Sequence, residues 1–164
     1  MPARASTDQT IAAYRAAAES GDADAVAPLL AEDVAFRSPM TDRVTFGGRA
    51  EVTELHRDIF AVLEGLTTSE PLARDNVRSW SFQARVRSVD LSAHVVASVN
   101  ASGLVDDVTI FVRPLPALAA LFATLPPRVS ARRRGRLTGA VALVATRPLA
   151  LVVGGADRFT PRFL

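Results

Sequence analysis

Three side chains of this sequence are suited to acid–base chemistry: the two histidines, His56 and His94, and the single tyrosine, Tyr14. An imidazole has an ordinary pKa close to neutral, so either histidine could move a proton, while a phenol could hold a substrate oxygen. His56 lies among the apolar residues of a predicted helix, where its ring N–H needs a hydrogen-bond partner. A structural histidine and a tyrosine packed in the core are the alternatives that these residue types leave open.

The sequence lacks the residues and motifs of several common kinds of site. Cysteine is absent, which excludes disulfides, thiol nucleophiles and thiolate-bound zinc. Carboxylates do not cluster around the histidines, so we expect no metal site. No Gly-x-Gly-x-x-Gly, P-loop or Gly-x-Ser-x-Gly pattern occurs, so we expect neither a nucleotide cofactor nor a hydrolase triad. The chemistry predicted for this chain therefore needs no cofactor.

The charges are distributed unevenly along the chain. All 19 basic residues are arginines. Residues 1–112 hold ten of them against sixteen acids, a net charge of −6, whereas residues 113–164 hold nine against Asp157 alone, a net charge of +8. The basic run at 132–136 could bind phosphates, but no nucleic-acid-binding motif accompanies it. We therefore expect no nucleic-acid partner, and predict that the basic segment docks on the acidic part of its own chain or of a second copy.

Length and hydropathy indicate one domain with an appendage, built from 164 residues of which 49% are hydrophobic. The N-terminus lacks the apolar run of a signal peptide. The longest apolar stretch, residues 137–155, is interrupted by Arg147-Pro148, which argues against a membrane-spanning helix. We therefore expect a cytoplasmic protein with no membrane partner.

Helical patterns occupy the first part of the sequence. Ser6 and Gln9 have the spacing of a capping box, which predicts a helix that ends at Gly21. A short helix follows Asp22, and residues 34–38 alternate as a strand does. The clearest amphipathic helix spans residues 49–64, with His56 on its apolar side.

Strand patterns follow, and we predict strands near residues 67–74, 77–89, 91–101 and 105–113. Short turns between them favour an antiparallel meander, and helices followed by strands indicate an α+β fold. Beyond residue 114 the spacing of Leu118, Leu121 and Leu125 predicts a helix ended by Pro126-Pro127. Residues 137–146 and 149–153 are compatible with a helix or with two strands.

Two segments carry a resemblance to a known family: AESGDADAVAPLLAEDVAFRSP at 18–39 and FGGRAEV at 46–52. They resemble the nuclear transport factor 2-like superfamily, in particular SnoaL-like and ketosteroid isomerase-like proteins, over residues 7–114. The resemblance implies a cone, in which a curved antiparallel sheet wraps around the N-terminal helices and opens on an apolar pocket. It also implies a homodimer formed through the sheet. We accordingly divide the chain into a cone domain, residues 1–114, and an arginine-rich extension, residues 115–164, packed on it.

The catalytic groups of ketosteroid isomerase carry over only in part. That enzyme uses an aspartate base and an oxyanion site made of a tyrosine and a protonated aspartate. Tyr14 stands at the position that the resemblance implies for the tyrosine. Ser38 stands where the base is implied, and Val95, next to His94, where the second oxyanion donor is implied. The ketosteroid isomerase mechanism is therefore not expected here.

The leading functional prediction is a pocket that binds a small apolar or aromatic molecule. Its predicted ligand-binding residues, several of them on the expected inner faces, are Tyr14, Phe36, Ser38, Met40, Phe60, Trp80 and Phe82. The first alternative is a cofactor-free isomerase, cyclase or dehydratase in which His56 or His94 moves the proton and Tyr14 holds an oxygen. The second alternative is a non-catalytic dimeric module that binds another protein. Residues on the same strand face as His94, such as Ser92 and Ser98, could equally meet a dimer partner.

Overall fold

The computed structural model describes residues 6–41, 43 and 45–134, so the predicted segments at 137–146 and 149–153 lie outside the described residues. The helices are α1 (Thr7–Ser20), α2 (Ala23–Val26), α3 (Arg49–Phe60) and α4 (Leu115–Arg134). The strands are β1 (Leu30–Arg37), β2 (Thr45–Gly47), β3 (Leu63–Thr68), β4 (Leu72–Arg74), β5 (Val77–Val86), β6 (Val89–Val99) and β7 (Val105–Arg113).

Helix α1 begins and ends as its sequence predicts. The Ser6 hydroxyl accepts a hydrogen bond from the Gln9 backbone N–H at 3.2 Å, and the Gln9 side chain accepts one from the Ser6 N–H at 2.9 Å. These two bonds satisfy backbone donors that an uncapped helix would leave unpaired. At the other end Gly21 has a φ of 69°, a left-handed conformation in which glycine carries no steric penalty. The capping-box prediction is confirmed.

The strands form one curved, unclosed sheet with the order β2-β1-β7-β6-β5-β3, and β4 pairs with β5. This architecture confirms the α+β cone. The sheet is mixed rather than wholly antiparallel, because β1 and β7 run parallel while the other strand pairs are antiparallel. Parallel pairing was not predicted, since it depends on the path of the chain from β1 through α3 and the meander to β7 and not on any local pattern.

Successive side chains of a strand point to opposite faces of the sheet, so every second one points into the cone. In β6, Leu91, Ala93, Val95 and Ala97 are buried, whereas the residues between them are half-buried on the opposite face. The inner face packs against α1, α3 and α4. The hydrophobic core therefore lies inside the curve of the sheet, where it also forms the walls of the cavities described below.

Several boundaries differ from the sequence prediction. Helix α3 ends at Phe60, four residues early, and β3 begins at Leu63. The strand predicted at 67–74 is two strands that pair with the same neighbour, β5, and are separated by residues 69–71, where Pro71 lacks an N–H for the ladder. Strand β1 begins at Leu30 rather than at residue 34, and β2, three residues long, gave no recognisable pattern.

Helix α4 continues through the two prolines that were predicted to end it. Pro126 and Pro127 lie inside the helix, which extends to Arg134. Buried residues on both sides of the prolines, Leu125 and Val129, belong to one hydrophobic core. Arg132 also forms an ion pair with Asp58 of α3 at 2.9 Å. These tertiary contacts offset the cost of helical proline, about 3 kcal/mol per residue. None of the helices in the described part of the chain is long and apolar enough to cross a bilayer.

Candidate functional site

Two neighbouring cavities lie inside the cone. The larger has a volume of about 360 Å³ and is lined by side chains of β1, β2, α3, the meander strands and α4, together with the loop after β1. The smaller has a volume of about 40 Å³ and is lined by α1, α3 and the inner face of the sheet. The two cavities adjoin each other, since five side chains line both: Phe36, Ile59, Leu63, Phe82 and Ile110.

Tyr14 and His56 are hydrogen-bonded to each other in the wall of the smaller cavity. The Tyr14 Oη and His56 Nε2 atoms are 2.5 Å apart, and His56 Nδ1 lies 2.7 Å from the Val52 carbonyl oxygen. A carbonyl oxygen can only accept, so Nδ1 carries the ring proton and Nε2 accepts the hydrogen bond that the Tyr14 hydroxyl donates. The geometry therefore assigns a neutral imidazole in a single tautomer.

Aromatic rings enclose this pair and hold it in place. Trp80 packs edge-on against Tyr14 with ring centroids 5.9 Å apart, while Phe36 and Phe60 pack edge-on against His56 at 5.7 and 5.6 Å. Both polar side chains are almost fully buried. The two helices supply the pair because Tyr14 faces inward from α1 and His56 lies one turn after Val52 on α3.

Burial determines the protonation of the pair. Loss of hydration lowers the pKa of His56 from 6.5 to about 4, although its hydrogen bond to the Val52 carbonyl acts in the opposite direction. Burial likewise raises the pKa of the Tyr14 phenol above its ordinary value. Both groups are therefore uncharged at neutral pH. The neutral imidazole thus keeps Nε2 as the acceptor for the hydrogen bond from the Tyr14 phenol.

Thr68 connects the smaller cavity to charged residues near its edge. Its hydroxyl donates to a Glu19 carboxylate oxygen at 2.6 Å and accepts from the Arg15 guanidinium at 3.1 Å. The hydrogen bonds from the Thr68 hydroxyl and backbone N–H lower the pKa of Glu19. The smaller cavity is thus polar at Thr68 and apolar at Val95, which also lines it.

The larger cavity is mostly apolar. Of the residues predicted to bind a ligand, Phe36 and Phe82 line both cavities, Ser38 and Met40 line the larger one, and Tyr14, Phe60 and Trp80 line the smaller one. The structure thus brings all seven predicted ligand-binding residues to the two cavities. Their roles in binding remain predictions.

His94 lies away from this group. It occupies the outer face of β6, where its Nδ1 is 3.2 Å from the Ser81 hydroxyl and its cross-strand neighbour is Phe111. It lines neither cavity. His94 is therefore on the outer side of the sheet, whereas His56 of α3 lies on the inner side and is the histidine that contacts Tyr14.

Helix α4 supplies cavity residues that the sequence analysis did not propose as binding residues. Leu121, Phe122, Leu125 and Val129 form one wall of the larger cavity, and Arg133 stands at its edge. The spacing of Leu121 and Leu125 predicts one helix face, whereas the helix end predicted at Pro126-Pro127 leaves Val129 and Arg133 outside that helix. In the described part of the chain, no three His, Cys, Asp or Glu side chains gather into a metal-binding group.

Comparisons with known proteins rest on structure. The sequence matches no protein-family model and no curated protein. A protein with a cystatin-like fold from Silicibacter pomeroyi DSS-3 superposes with a TM-score of 0.73 at 25% identity, covering 80% of this chain and 92% of its own. A steroid delta-isomerase from Pseudomonas aeruginosa superposes with a TM-score of 0.72 at 24% identity, covering 81% of this chain and 98% of its own.

A third neighbour is more distant. An epoxide hydrolase/cyclase-like enzyme of pyran ring formation in the polyether salinomycin superposes with a TM-score of 0.55 at 17% identity, covering 65% of this chain and 90% of its own. At such identities the likeness concerns the fold, which agrees with the resemblance found in the sequence. This chain therefore has the α+β cone fold of nuclear transport factor 2-like proteins.

Proposed function

We propose that the protein binds one small apolar or aromatic molecule in the larger cavity. The observation that carries this proposal is the cavity itself, about 360 Å³ in volume and lined mainly by aliphatic and aromatic side chains. Ligand sites in proteins occupy roughly 300–1,000 Å³ and combine apolar walls with a few polar groups. Scaled from an engineered cavity of about 150 Å³ that holds benzene, this volume corresponds to roughly 14 non-hydrogen atoms.

Helix α4 supports the proposal because it covers the cone without filling it. A helix that plugged the cone would leave no room for a ligand. Instead, Leu121, Leu125 and Val129 form one wall, and Phe82 and Ile110 on the sheet belong to the walls formed by the other elements. The cavity is thus a space between packed elements and not a groove in one of them.

Native mass spectrometry with added 1-decanol tests this proposal. We expect one bound molecule per chain in the wild type. Val129→Phe adds a ring to the cavity wall and should weaken binding at least tenfold, since the ring takes the space of the ligand. Val96→Phe makes the same change on the outer face of the sheet and should bind like the wild type. Absence of saturable binding, or equal binding by Val129→Phe, contradicts the proposal.

A second candidate function is cofactor-free acid–base catalysis of an isomerase, cyclase or dehydratase type. It is favoured by the Tyr14–His56 hydrogen bond, which lies in a chamber that shares walls with the larger cavity. Two structural neighbours are named for isomerisation and for pyran ring formation, which is compatible with chemistry of this kind on this fold.

The proton transfer in this second proposal involves both side chains. The Tyr14 oxygen accepts a proton from a substrate carbon next to a carbonyl while the Tyr14 hydroxyl proton passes to His56 Nε2. The electron pair of the broken C–H bond stays on the substrate as an enolate. The imidazolium that forms keeps its Nδ1–H bond to the Val52 carbonyl. Return of the proton through Tyr14 to another substrate atom completes an isomerisation and restores the neutral pair. No cofactor takes part in these steps, because the phenol and the imidazole exchange protons only.

Exchange of carbon-bound hydrogen for deuterium tests the catalytic proposal. In D₂O with 2-decanone, we expect the wild type to accelerate exchange next to the carbonyl. Tyr14→Phe and His56→Gln should each slow this exchange about 100-fold or more, the usual contribution of an acid–base group. His94→Gln, a change of the same type outside both cavities, should have no effect. Exchange at the buffer rate with wild-type protein, or equal losses in all three variants, contradicts it.

A further inference from the structure

The polar groups of the larger cavity come from two segments. Among the described residues that line it, the polar side chains are Ser38, Thr41, Ser130 and Arg133. Ser38 and Thr41 belong to the loop after β1, and Ser130 and Arg133 are three residues apart on α4, hence on one face of that helix. The remaining lining residues are apolar.

Contacts of Arg133 place these two segments at the same end of the cavity. The guanidinium carbon of Arg133 lies 4.8 Å from the centroid of the Phe46 ring. Phe46 is the cross-strand partner of Phe36, and Ser38 follows Phe36 by two residues. The charged end of α4 therefore meets the sheet where the loop that carries Ser38 begins.

Arg133 is the one charged side chain among the described residues that line the cavity, and its position is held by two contacts. It forms an ion pair with Glu51 of α3 and packs over the Phe46 ring. Glu51 in turn accepts a hydrogen bond from the Gly47 N–H at 3.2 Å. A guanidinium has five N–H donors in a planar fork and can serve two carboxylates together. Pairing with Glu51 therefore orients Arg133 without using all of its donors.

The other polar groups at this end also favour a ligand that accepts hydrogen bonds. The Ser38 hydroxyl oxygen accepts from the Met40 N–H at 3.2 Å, so its own proton is directed to a different acceptor. No carboxylate or carboxamide side chain occurs among the described lining residues. The end of the cavity therefore presents a cation and hydroxyl donors to whatever enters it.

We propose that the ligand is an apolar carboxylic acid, with its carboxylate at Arg133 and Ser38 and its apolar part along the walls formed by Leu125 and Phe82. This inference rests on the proposed function and specifies the chemical class of the ligand. A carboxylate matches the planar fork of a guanidinium. Because Glu51 already places one negative charge beside Arg133, a singly charged carboxylate is favoured over a doubly charged phosphate.

Isothermal titration at pH 7 with sodium decanoate and with 1-decanol tests the inference. The two probes have the same chain length and differ in the end group, which is a carboxylate in decanoate and an uncharged hydroxyl in 1-decanol. We expect the wild type to bind decanoate about tenfold or more tightly than 1-decanol, because hydrogen bonds to charged groups are the strong ones. Arg133→Gln should remove this preference, because the variant no longer has a positive charge for the carboxylate. Arg133→Lys retains the charge but not the fork, so it should keep part of the preference.

A matched control separates the site from general charge effects. Arg132→Gln removes the neighbouring arginine, which pairs with Asp58 and does not line the cavity, and should keep the wild-type preference. Equal binding of both probes by the wild type, or a preference that survives in Arg133→Gln, overturns the inference while small-molecule binding stands. Loss of 1-decanol binding in a folded Arg133→Gln protein also overturns it, since Arg133 would then only support the wall. Absence of binding by either probe to the wild type overturns the proposed function as well.

Discussion

Tyr14 and His56 are separated by 42 residues in the sequence, and a 2.5 Å hydrogen bond joins them in the folded chain. The sequence singled out each residue by its chemistry, and it placed His56 on the apolar side of a helix. It could not show that the two meet, because their contact depends on how α1 and α3 pack inside the sheet. The residue type of His94 likewise could not show that its side chain lies outside the cone. That direction follows from the register of β6 in the sheet.

Stability should depend on pH through His56. The pKa of His56 is about 4 in the folded protein and 6.5 when exposed, so between these values the unfolded state binds a proton that the folded state excludes. The stabilisation is therefore fully present above pH 6.5, and it is lost as the pH falls through about 4. Relative to His56→Gln, the wild type should lose up to about 3 kcal/mol of unfolding free energy over this window. Urea denaturation followed by circular dichroism at several pH values measures this difference.

His94→Gln, which removes the histidine outside both cavities, is measured beside it as the matched control for loss of an imidazole. An identical pH dependence in the wild type and in His56→Gln would show that His56 is not held neutral by burial.

Tyr14→Phe should destabilise the protein by about 1–3 kcal/mol, because it leaves the buried Nε2 of His56 without a donor. The cost should fall when the same change is made in a His56→Leu background, where no acceptor remains. Unfolding free energies of the two single variants and the double variant give the coupling between the residues. Additive costs would contradict a hydrogen bond that contributes to stability.

Helix ends and strands that depend on local interactions were predicted correctly from local sequence patterns. The capping box and Gly21 fix the ends of α1, and the strand predicted at 105–113 matches β7. Features set by distant contacts were missed or wrong: the parallel pairing of β1 with β7, the short strand β2, and the passage of α4 through Pro126 and Pro127. The cavity residues that follow the two prolines, such as Val129 and Arg133, were missed for the same reason.

The packing of α4 gives a prediction with a matched control in the same helix. Leu121 is buried against the core, whereas Leu115 is 63% exposed. Leu121→Ala should cost about 2–5 kcal/mol of unfolding free energy, as buried leucine deletions do. Leu115→Ala should change it by less than about 0.5 kcal/mol. Thermal and urea unfolding measure both variants, and similar effects for the two would contradict the docking of α4.

In the whole molecule, the basic and acidic parts of the chain are joined by ion pairs, which explains part of the charge asymmetry of the sequence. Arg132 and Arg133, from the basic part of the chain, form ion pairs with Asp58 and Glu51 of the acidic part. Such pairs at partly exposed positions contribute up to about 1 kcal/mol each, so their effect is to orient the end of α4 more than to stabilise the fold. The boundary at residue 114 and the packing of the remaining extension stay predictions.

Self-association is expected from the resemblance and has a candidate surface on the outer face of the sheet. Phe111 is 59% exposed there and lies across from His94. We expect sedimentation velocity to show a dimer that Phe111→Asp converts to a monomer, because a buried carboxylate at the interface would be unpaired. Leu115→Asp, at a similarly exposed position off the sheet, should remain a dimer. A wild-type protein that stays monomeric at high concentration would contradict this expectation.

A cavity that receives an apolar molecule is central to the proposed function. Isothermal titration of 1-decanol into the wild type and Val129→Phe at several temperatures tests it most directly. We expect binding of one molecule per chain with a negative heat-capacity change, the mark of apolar surface removed from water. Affinity should fall at least tenfold in Val129→Phe. Heats that show no saturable binding to the wild type, or the same affinity in both proteins, would contradict the claim that this cone is a ligand site.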